Sequence, residues 1–290
     1  MDLPLIVARF LHFTATMTLF GALFFRVALA PASLGPELQP LLRRFAAPLA
    51  LIALLSAIAW ALLVARDMAG GELDAGIVRD VFNDTAFGRV WRARLAILAV
   101  LVVVALWPDR RWRLAAGVAA LAIASLGFVG HATMQDGALG AAHRLNHAVH
   151  LLTTSGWLGG LPLFLVCLSR FAATPERRDA LDAMMRYSRV GHFAVAAVFV
   201  TGAINVALTT HALPWPPSSP YRVGLDAKIL VFAAMAALAL VNRYALAPKV
   251  GRSAAAARAL AAGAVAEIAL GLIAVALVSA FATFDPNNHL

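Results

Sequence analysis

The stretch HRLNHAVHLLTTSGWLGGLP, residues 143–162, opens a long apolar segment with three histidines. At about 100° per residue, His143, His147 and His150 fall on one face of a helix. Thr154 and Trp157 continue the same face. Polar side chains at bilayer depth are costly and are usually functional, so three aligned histidines favour a functional site. A lone histidine would instead favour simple helix packing through a hydrogen bond.

The composition indicates a membrane protein with several spanning helices. The chain has 290 residues, of which 62% are hydrophobic and 13% are charged, and its mean hydropathy is +0.81. Soluble domains are about 45–50% apolar. The net charge of +9 is better explained by basic cytoplasmic loops than by nucleic acid, for which no motif is present. The single cysteine, Cys167, excludes an internal disulfide and makes a thiolate-rich metal site unlikely on composition.

The predicted fold class is all-α, a polytopic bundle of about eight transmembrane helices that forms a single integral membrane domain over residues 1–290. A spanning helix needs about 20 predominantly apolar residues. Clusters of Pro, Gly, Arg, Asp and Asn separate the apolar segments, as helix ends do. The segments run over residues 4–30, 45–66, 89–107, 112–133, 143–168, 186–209, 222–246 and 255–283.

Three local features of this pattern carry further predictions. The connection over residues 67–88 mixes acidic and basic residues and is expected to carry a short surface helix. Gly156 and Gly160 form a small-xxx-small pair, at which another helix is expected to approach closely. Pro162 is expected to kink the fifth segment.

The distribution of basic residues predicts the orientation. Cytoplasmic connections carry an excess of Lys and Arg. The odd-numbered connections and their flanks hold 15 of the 24 basic residues, and acids offset most of the others around residues 67–88. Both termini are therefore predicted to face the periplasm. The first helix is expected to be retained, since Asp2 replaces the positive start of a signal peptide and Pro31 follows the only cleavage-like box.

This orientation places seven of the eight histidines on the outer side of the membrane. They are His12, His131, His143, His147, His150, His211 and His289. Only His192 falls in the inner half, whereas Met17 and Met134 lie near the outer group. Such asymmetry is what a site open to the periplasm would produce.

The outer residues have the chemistry of a metal site. Imidazole binds copper, zinc, iron and nickel, and thioether selects Cu(I). A short connection makes the fourth and fifth helices antiparallel neighbours, so His131 and Met134 are expected to meet His147 and His150. His143 and His12 are further candidates. Heme is the competing interpretation, because two histidines on facing helices can ligate its iron.

Other polar side chains inside the predicted helices are candidates for function or for helix packing. Glu267 lies in the middle of the last helix, where it is either an ion or proton relay or a paired structural carboxylate. Asn205 is expected to hydrogen-bond a neighbouring helix. No nucleophile motif, phosphate-binding loop or carboxylate dyad is present, so the chain is not predicted to be an enzyme.

With these residues in view, the chain resembles the CopD (PcoD) copper-resistance family of bacterial inner-membrane proteins. The resemblance covers most of the chain and is strongest over the last five helices. The residues that carry it are Gly130-His131-Ala132, His147-Ala-Val-His150, Trp157-Leu-Gly159-Gly160, Arg186-Tyr-Ser188-Arg-Val-Gly191, Thr201-Gly202, Lys228, Asn242-Arg243-Tyr-Ala-Leu-Ala-Pro248 and Glu267.

The resemblance implies copper transport from periplasm to cytoplasm across the bacterial inner membrane, beside a periplasmic CopC-like copper chaperone that would be a separate protein. It implies copper as the metal, where the residue pattern indicates only a metal-competent outer site with His131, His147 and His150 as core ligands. The alternatives are a heme-binding electron-transfer protein and a non-transporting subunit that docks a copper chaperone. The expected partners are thus the copper ion, that chaperone and membrane lipid, without nucleic acid.

Overall fold

The computed structural model describes residues 2–107, 111–171, 177–210 and 219–286 of the chain. Within these ranges the regular structure is entirely helical, as the composition predicts. The ten α-helices are α1 (Leu3–Phe24), α2 (Gly35–Met68), α3 (Ala75–Asp84), α4 (Ala86–Leu106), α5 (Trp112–Ala124), α6 (Gly137–Leu158), α7 (Leu161–Phe171), α8 (Arg177–Thr210), α9 (Pro220–Val241) and α10 (Ala254–Phe281). Short π-helical turns extend α1 and α9 over Phe25–Leu29 and Asn242–Leu246.

Six helical stretches in the described ranges are long and apolar enough to cross a membrane. They are Leu3–Leu29, Ala32–Met68, Gly137–Arg170, Arg177–Thr210, Pro220–Lys249 and Ala254–Phe281. The predicted count of eight is not confirmed. Trp112–Phe128 is apolar but short, and α4 has sufficient length but contains three arginines. One of them, Arg94, is buried. α4 therefore has one face that packs inside the protein around an arginine and another face that is apolar.

The connection after α2 contains the expected surface helix, α3. Asp74 caps its N-terminus, accepting a hydrogen bond from the Ile77 backbone N–H at 2.8 Å. Thr85 caps α4 in the same way through the Gly88 backbone N–H at 2.9 Å. These caps hold α3 and α4 as separate helices within a mostly exposed segment.

The fifth predicted segment is two helices, and it begins earlier than its apolar pattern suggests. α6 starts at Gly137, six residues before His143, because polar residues on the outer turns still continue the helix. The helix is interrupted at Gly159 and Gly160, and α7 begins at Leu161. The break therefore precedes Pro162, which lies in the first turn of α7, where its missing N–H is tolerated.

Of the predicted pair, Gly160 lies close to α8, where an added Cβ atom would come within 2.6 Å of the Tyr187 ring, whereas the close approach of α1 occurs at Gly159 rather than at Gly156. A Cβ atom added to Gly21 in α1 would collide with the Gly159 backbone, and a Cβ atom at Gly159 would collide with the Met17 carbonyl. A Cβ atom at Gly156 would have only ordinary contact with Phe24. α1 thus packs directly on the α6–α7 break, and it also contacts α2, α5 and α10. This central position of α1 joins the two halves of the bundle.

Candidate metal centre

Four of the predicted histidines line one cavity near one end of the bundle. The cavity has a volume of about 220 Å³, and its walls include His131, His143, His147 and His150. His131 comes from the 3₁₀ turn Gly130–Thr133 that follows α5, and the other three come from successive turns of α6. Of the two residues expected to meet His147 and His150, His131 therefore shares a cavity with them.

The hydrogen bonds of His150 leave its Nε2 lone pair available. The Thr201 hydroxyl donates to the Ala197 carbonyl at 2.5 Å. Its oxygen must therefore accept the 3.0 Å hydrogen bond from His150 Nδ1. With the proton on Nδ1, Nε2 carries a lone pair, which is the form in which a neutral imidazole binds a metal.

The same arrangement fixes His143. The Gln135 amide nitrogen donates to the Leu208 carbonyl at 2.6 Å, so its oxygen accepts from His143 Nδ1 at 2.6 Å. His143 is only 1% exposed, and its Nε2 atom also carries a lone pair. Gln135 thereby connects the loop before α6 to the end of α8 and orients one candidate ligand.

His147 is held in the opposite tautomer. The Asn146 amide nitrogen donates to Asn205 Oδ1 at 2.8 Å, and this leaves the Asn205 amide nitrogen to donate to His147 Nδ1 at 3.3 Å. A neutral His147 therefore carries its proton on Nε2. The predicted contact of Asn205 with a neighbouring helix is confirmed, and it sets the tautomer of a predicted ligand.

His131 has an unused buried nitrogen. Its Nε2 atom is buried without a hydrogen-bond partner, and its ring lies edge-on to Tyr221 with ring centroids 5.3 Å apart. Burial, and then the positive charge of Arg9, lower the pKa of His131, while Asp285 acts against them. The imidazole is therefore neutral at neutral pH, and protons compete for it only below its ordinary pKa of about 6.5.

The structure does not bring His12 or Met134 to this cavity. His12 donates from Nδ1 to the Ala53 carbonyl at 3.0 Å, and its Nε2 accepts from Arg94 at 2.9 Å. Both of its ring nitrogens are thus used in packing α1 against α2 and α4. Met134 is 41% exposed and is not a wall residue, whereas Met17 is. His211 and His289 lie outside the described residues.

The cavity is not a preformed coordination cage. In the described part of the chain, no three His, Cys, Asp or Glu side chains are close enough to hold a metal ion together. The rings of His147 and His150 are nearly parallel, at 15°, with centroids 6.4 Å apart. Binding of one ion by several of these histidines requires side-chain movements toward the cavity centre.

A second, larger cavity of about 890 Å³ lies between α7, α8, α9 and α10. Its walls include Met184, Met185, His192 and Glu267, so most of the metal-binding residues of the predicted inner half face one space. His192 donates from Nδ1 to the Ser188 carbonyl at 3.0 Å and accepts from the Tyr244 hydroxyl at 2.8 Å. Its only unprotonated nitrogen is therefore covered by a hydroxyl group.

Glu267 is a paired carboxylate at the wall of this second cavity. It is 4% exposed and accepts a hydrogen bond from the Asn242 amide at 2.6 Å, with Trp157 as a second hydrogen-bond partner. The cost of burying a carboxyl group inside the helices is thereby partly offset. Of the two weighed interpretations, the structural one has direct support, and the relay stays a prediction.

Sequence reasoning missed the residues that orient the histidines. These are single polar residues in or beside apolar helices: Gln135, Asn146 and Thr201. An amide or hydroxyl group inside a membrane helix was the sequence signal that could have indicated a hydrogen bond to another helix. Their pairing with particular histidines depends on how α6 and α8 are placed against each other, which no spacing within either helix reveals.

Fold and site together define a class: a helical membrane protein with a histidine-lined cavity near one end of the bundle. Residues 1–141 match the family model described as copper resistance protein D-like, N-terminal domain. Residues 181–281 match the model described as copper resistance protein D. The chain belongs to the copper resistance protein D family, a family of copper resistance and transport proteins rather than of known enzymes.

Curated relatives agree with this assignment. The chain is 32% identical to the inner membrane protein YebZ of Escherichia coli (strain K12), over 97% of this chain and 98% of the relative. It is 26% identical to copper resistance protein D of Pseudomonas syringae pv. tomato, over 99% and 98%. It is 26% identical to the copper transport protein CutJ of Bacillus subtilis (strain 168), over 47% of this chain but only 26% of that protein. No solved structure is significantly similar to the chain.

Proposed function

We propose that this protein carries copper across the bacterial inner membrane, from periplasm to cytoplasm, through the histidine-lined outer cavity. The supporting observation is the convergence of His131, His143, His147 and His150 on one small cavity. Imidazole suits copper, and the family is one of copper resistance and transport. Copper is here the transported substrate, and a separate periplasmic CopC-like chaperone would deliver it.

His131, His147 and His150 are the proposed core ligands, with His143 beside them. Nε2 of His143 and of His150 carries a lone pair in the present network. His147 has to release its Nε2 proton before it can bind a metal there, and Asn205 is the group that would adjust. Met17, a wall residue, takes the place that the sequence suggested for Met134. His12, with both nitrogens engaged, is left out of the set.

The proposed route leads from the outer cavity to the inner one. Thr154 and Leu158 line the outer cavity, whereas Trp157 lines the inner one. Leu158 also packs on α10, where a Cβ atom at Gly271 would touch its side chain at 3.0 Å. The two spaces thus lie on different faces of the last turn of α6. An ion that moves inward would pass this turn and reach Glu267.

The proposed orientation places both termini in the periplasm and the segment between α7 and α8 in the cytoplasm. Alkaline phosphatase is active only in the periplasm, so a fusion after the C-terminus is expected to be active and a fusion near residue 174 inactive. A fluorescent-protein fusion at the same two sites serves as the reciprocal control. The opposite activity pattern would reverse the orientation and, with it, the periplasmic position of the histidine cavity.

Transport is tested with the purified full-length protein in proteoliposomes. Copper is expected to accumulate inside the vesicles when the periplasmic face is outward and a gradient is imposed, at several times the rate of protein-free vesicles. Absorption spectra of the same preparation address the heme alternative. The inner half contains one histidine, His192, which is too few for a second bis-histidine heme, and no stoichiometric Soret band is expected.

Each result separates the candidate functions. A full heme complement would favour the electron-transfer alternative. Stoichiometric copper binding without flux under any imposed gradient would favour a non-transporting subunit that docks a chaperone. Either result would overturn the transport proposal.

A further inference from the structure

The outer cavity contains fixed positive charge that a copper-binding cavity would not be expected to have. Lys228 of α9 and Arg9 of α1 are both wall residues, together with the four histidines. No Asp or Glu is among the described wall residues. The described walls of the cavity therefore carry two cations and no carboxylate to compensate them.

Lys228 is the more exceptional of the two cations. Over the described ranges, it has neither a hydrogen-bond partner nor a carboxylate within ion-pair distance. It lines the same cavity as His147 and His150, two of the proposed copper ligands. An ammonium group inside a membrane protein is costly unless it is paired or solvated.

Arg9 is also incompletely satisfied. Two of its guanidinium nitrogens donate to the Ala282 and Val278 carbonyls, both at the long distance of 3.4 Å. Its Nε atom is buried without a partner, and the guanidinium lies 5.0 Å from the centroid of the Trp60 ring. Asp285, beyond α10, acts on His131 but is not a wall residue.

A third donor faces the same space. Because the Asn146–Asn205 pair gives His147 its proton on Nε2, this ring presents an N–H group rather than a lone pair. The ammonium, the guanidinium and this imidazole N–H are three donors, and the ring acceptors on the same walls, Nε2 of His143 and of His150, are neutral and do not compensate their charge. The cavity has a volume of about 220 Å³, and one water molecule occupies about 30 Å³. The cavity therefore accommodates a small anion together with a few water molecules.

We propose that the outer cavity binds a small monovalent inorganic anion of chloride size beside Lys228, within the field of Arg9 and with the His147 N–H as a further donor. The anion neutralises part of the positive charge in the copper-free protein. It also lowers the electrostatic cost of bringing a copper cation close to Lys228. The site goes beyond the proposed copper transport, since it concerns the copper-free protein.

The test measures chloride binding to the purified, copper-free full-length protein by equilibrium dialysis with radioactive chloride, at constant ionic strength set with gluconate. Saturable binding of about one chloride per chain is expected. Lys228→Met should weaken chloride binding by about tenfold or more, because one nearby charge is removed, and Lys228→Arg should retain most of it. Lys249→Met, which removes a cation far from the cavity, is the matched control.

Two outcomes would overturn the anion site: no saturable chloride binding, or equal binding by the parent and a folded Lys228→Met variant. Thermal melting in gluconate establishes that the variants are folded. Radioactive acetate is dialysed in parallel: saturable acetate binding without any chloride binding would overturn the chloride site and assign Lys228 to a carboxylate instead. Copper binding is measured separately on the same preparations. A protein that binds chloride but not copper would contradict the proposed copper transport and leave the anion site standing.

Discussion

Replacing His147 and His150 together by alanine is expected to abolish stoichiometric copper binding in the purified protein. The two rings face one cavity with centroids 6.4 Å apart, and both are proposed core ligands. Loss of a group that merely orients a metal ligand commonly costs about 10–100-fold in affinity. Removal of two ligands should therefore lower copper affinity by more than about 100-fold, as measured by competition with a chromophoric chelator.

The single variants give a finer test of the same site. His150→Ala should weaken copper binding more than His147→Ala, because only His150 has an Nε2 lone pair ready in the copper-free network. Thr201→Val, which removes the acceptor of the His150 Nδ1 proton, should have an intermediate effect. His192→Ala, at the inner cavity, is the matched control and should bind copper like the parent. Copper binding by a folded double variant at parental affinity would place the site elsewhere.

Glu267→Gln is expected to slow copper uptake by about tenfold or more while leaving copper affinity at the outer cavity nearly unchanged. The carboxylate lines the inner cavity, away from the four histidines. Glutamine keeps the oxygen that accepts from Asn242, but it removes both the charge and the titratable proton. A tenfold change in rate corresponds to about 1.4 kcal/mol in barrier height. The interaction of one carboxylate with a passing cation is large enough to supply this difference.

Uptake and binding are measured on the same preparation, so that the two effects are separated. Ser279→Ala is the matched control, because Ser279 is a buried polar residue of α10 whose hydroxyl donates only to the Val275 carbonyl. It should leave both quantities unchanged. Misfolding of Glu267→Gln alone would assign the carboxylate to structure, and unchanged uptake would exclude it from the route.

Much of the architecture was predictable because local sequence controls it. The length of apolar segments and the Asp, Thr and Ser caps define the ends of several helices within a few residues, whereas α2, α6 and α8 begin six to ten residues before their predicted starts. The position of the helix break before α7 could not be predicted from the sequence. Gly159 and Gly160 and the nearby Pro162 are all helix-ending signals, and only the packing of neighbouring helices decides which of them ends the helix. Of the predicted glycine pair, Gly160 is used by α8, but α1 approaches at Gly159 instead of Gly156, because a small residue permits contact and the neighbouring helix selects which one is used.

The sequence by itself determined that the chain is helical and membrane-spanning, and that His143, His147 and His150 share one helical face. Helical periodicity is a local property, so three positions on one stripe can be assigned without any neighbour. The tertiary structure decided which residues join them: it brought His131 in and directed His12 to Arg94. It also set the histidine tautomers through Gln135, Thr201 and Asn205. These outcomes depend on distances between helices remote in sequence, and those distances exist only once the helices have packed.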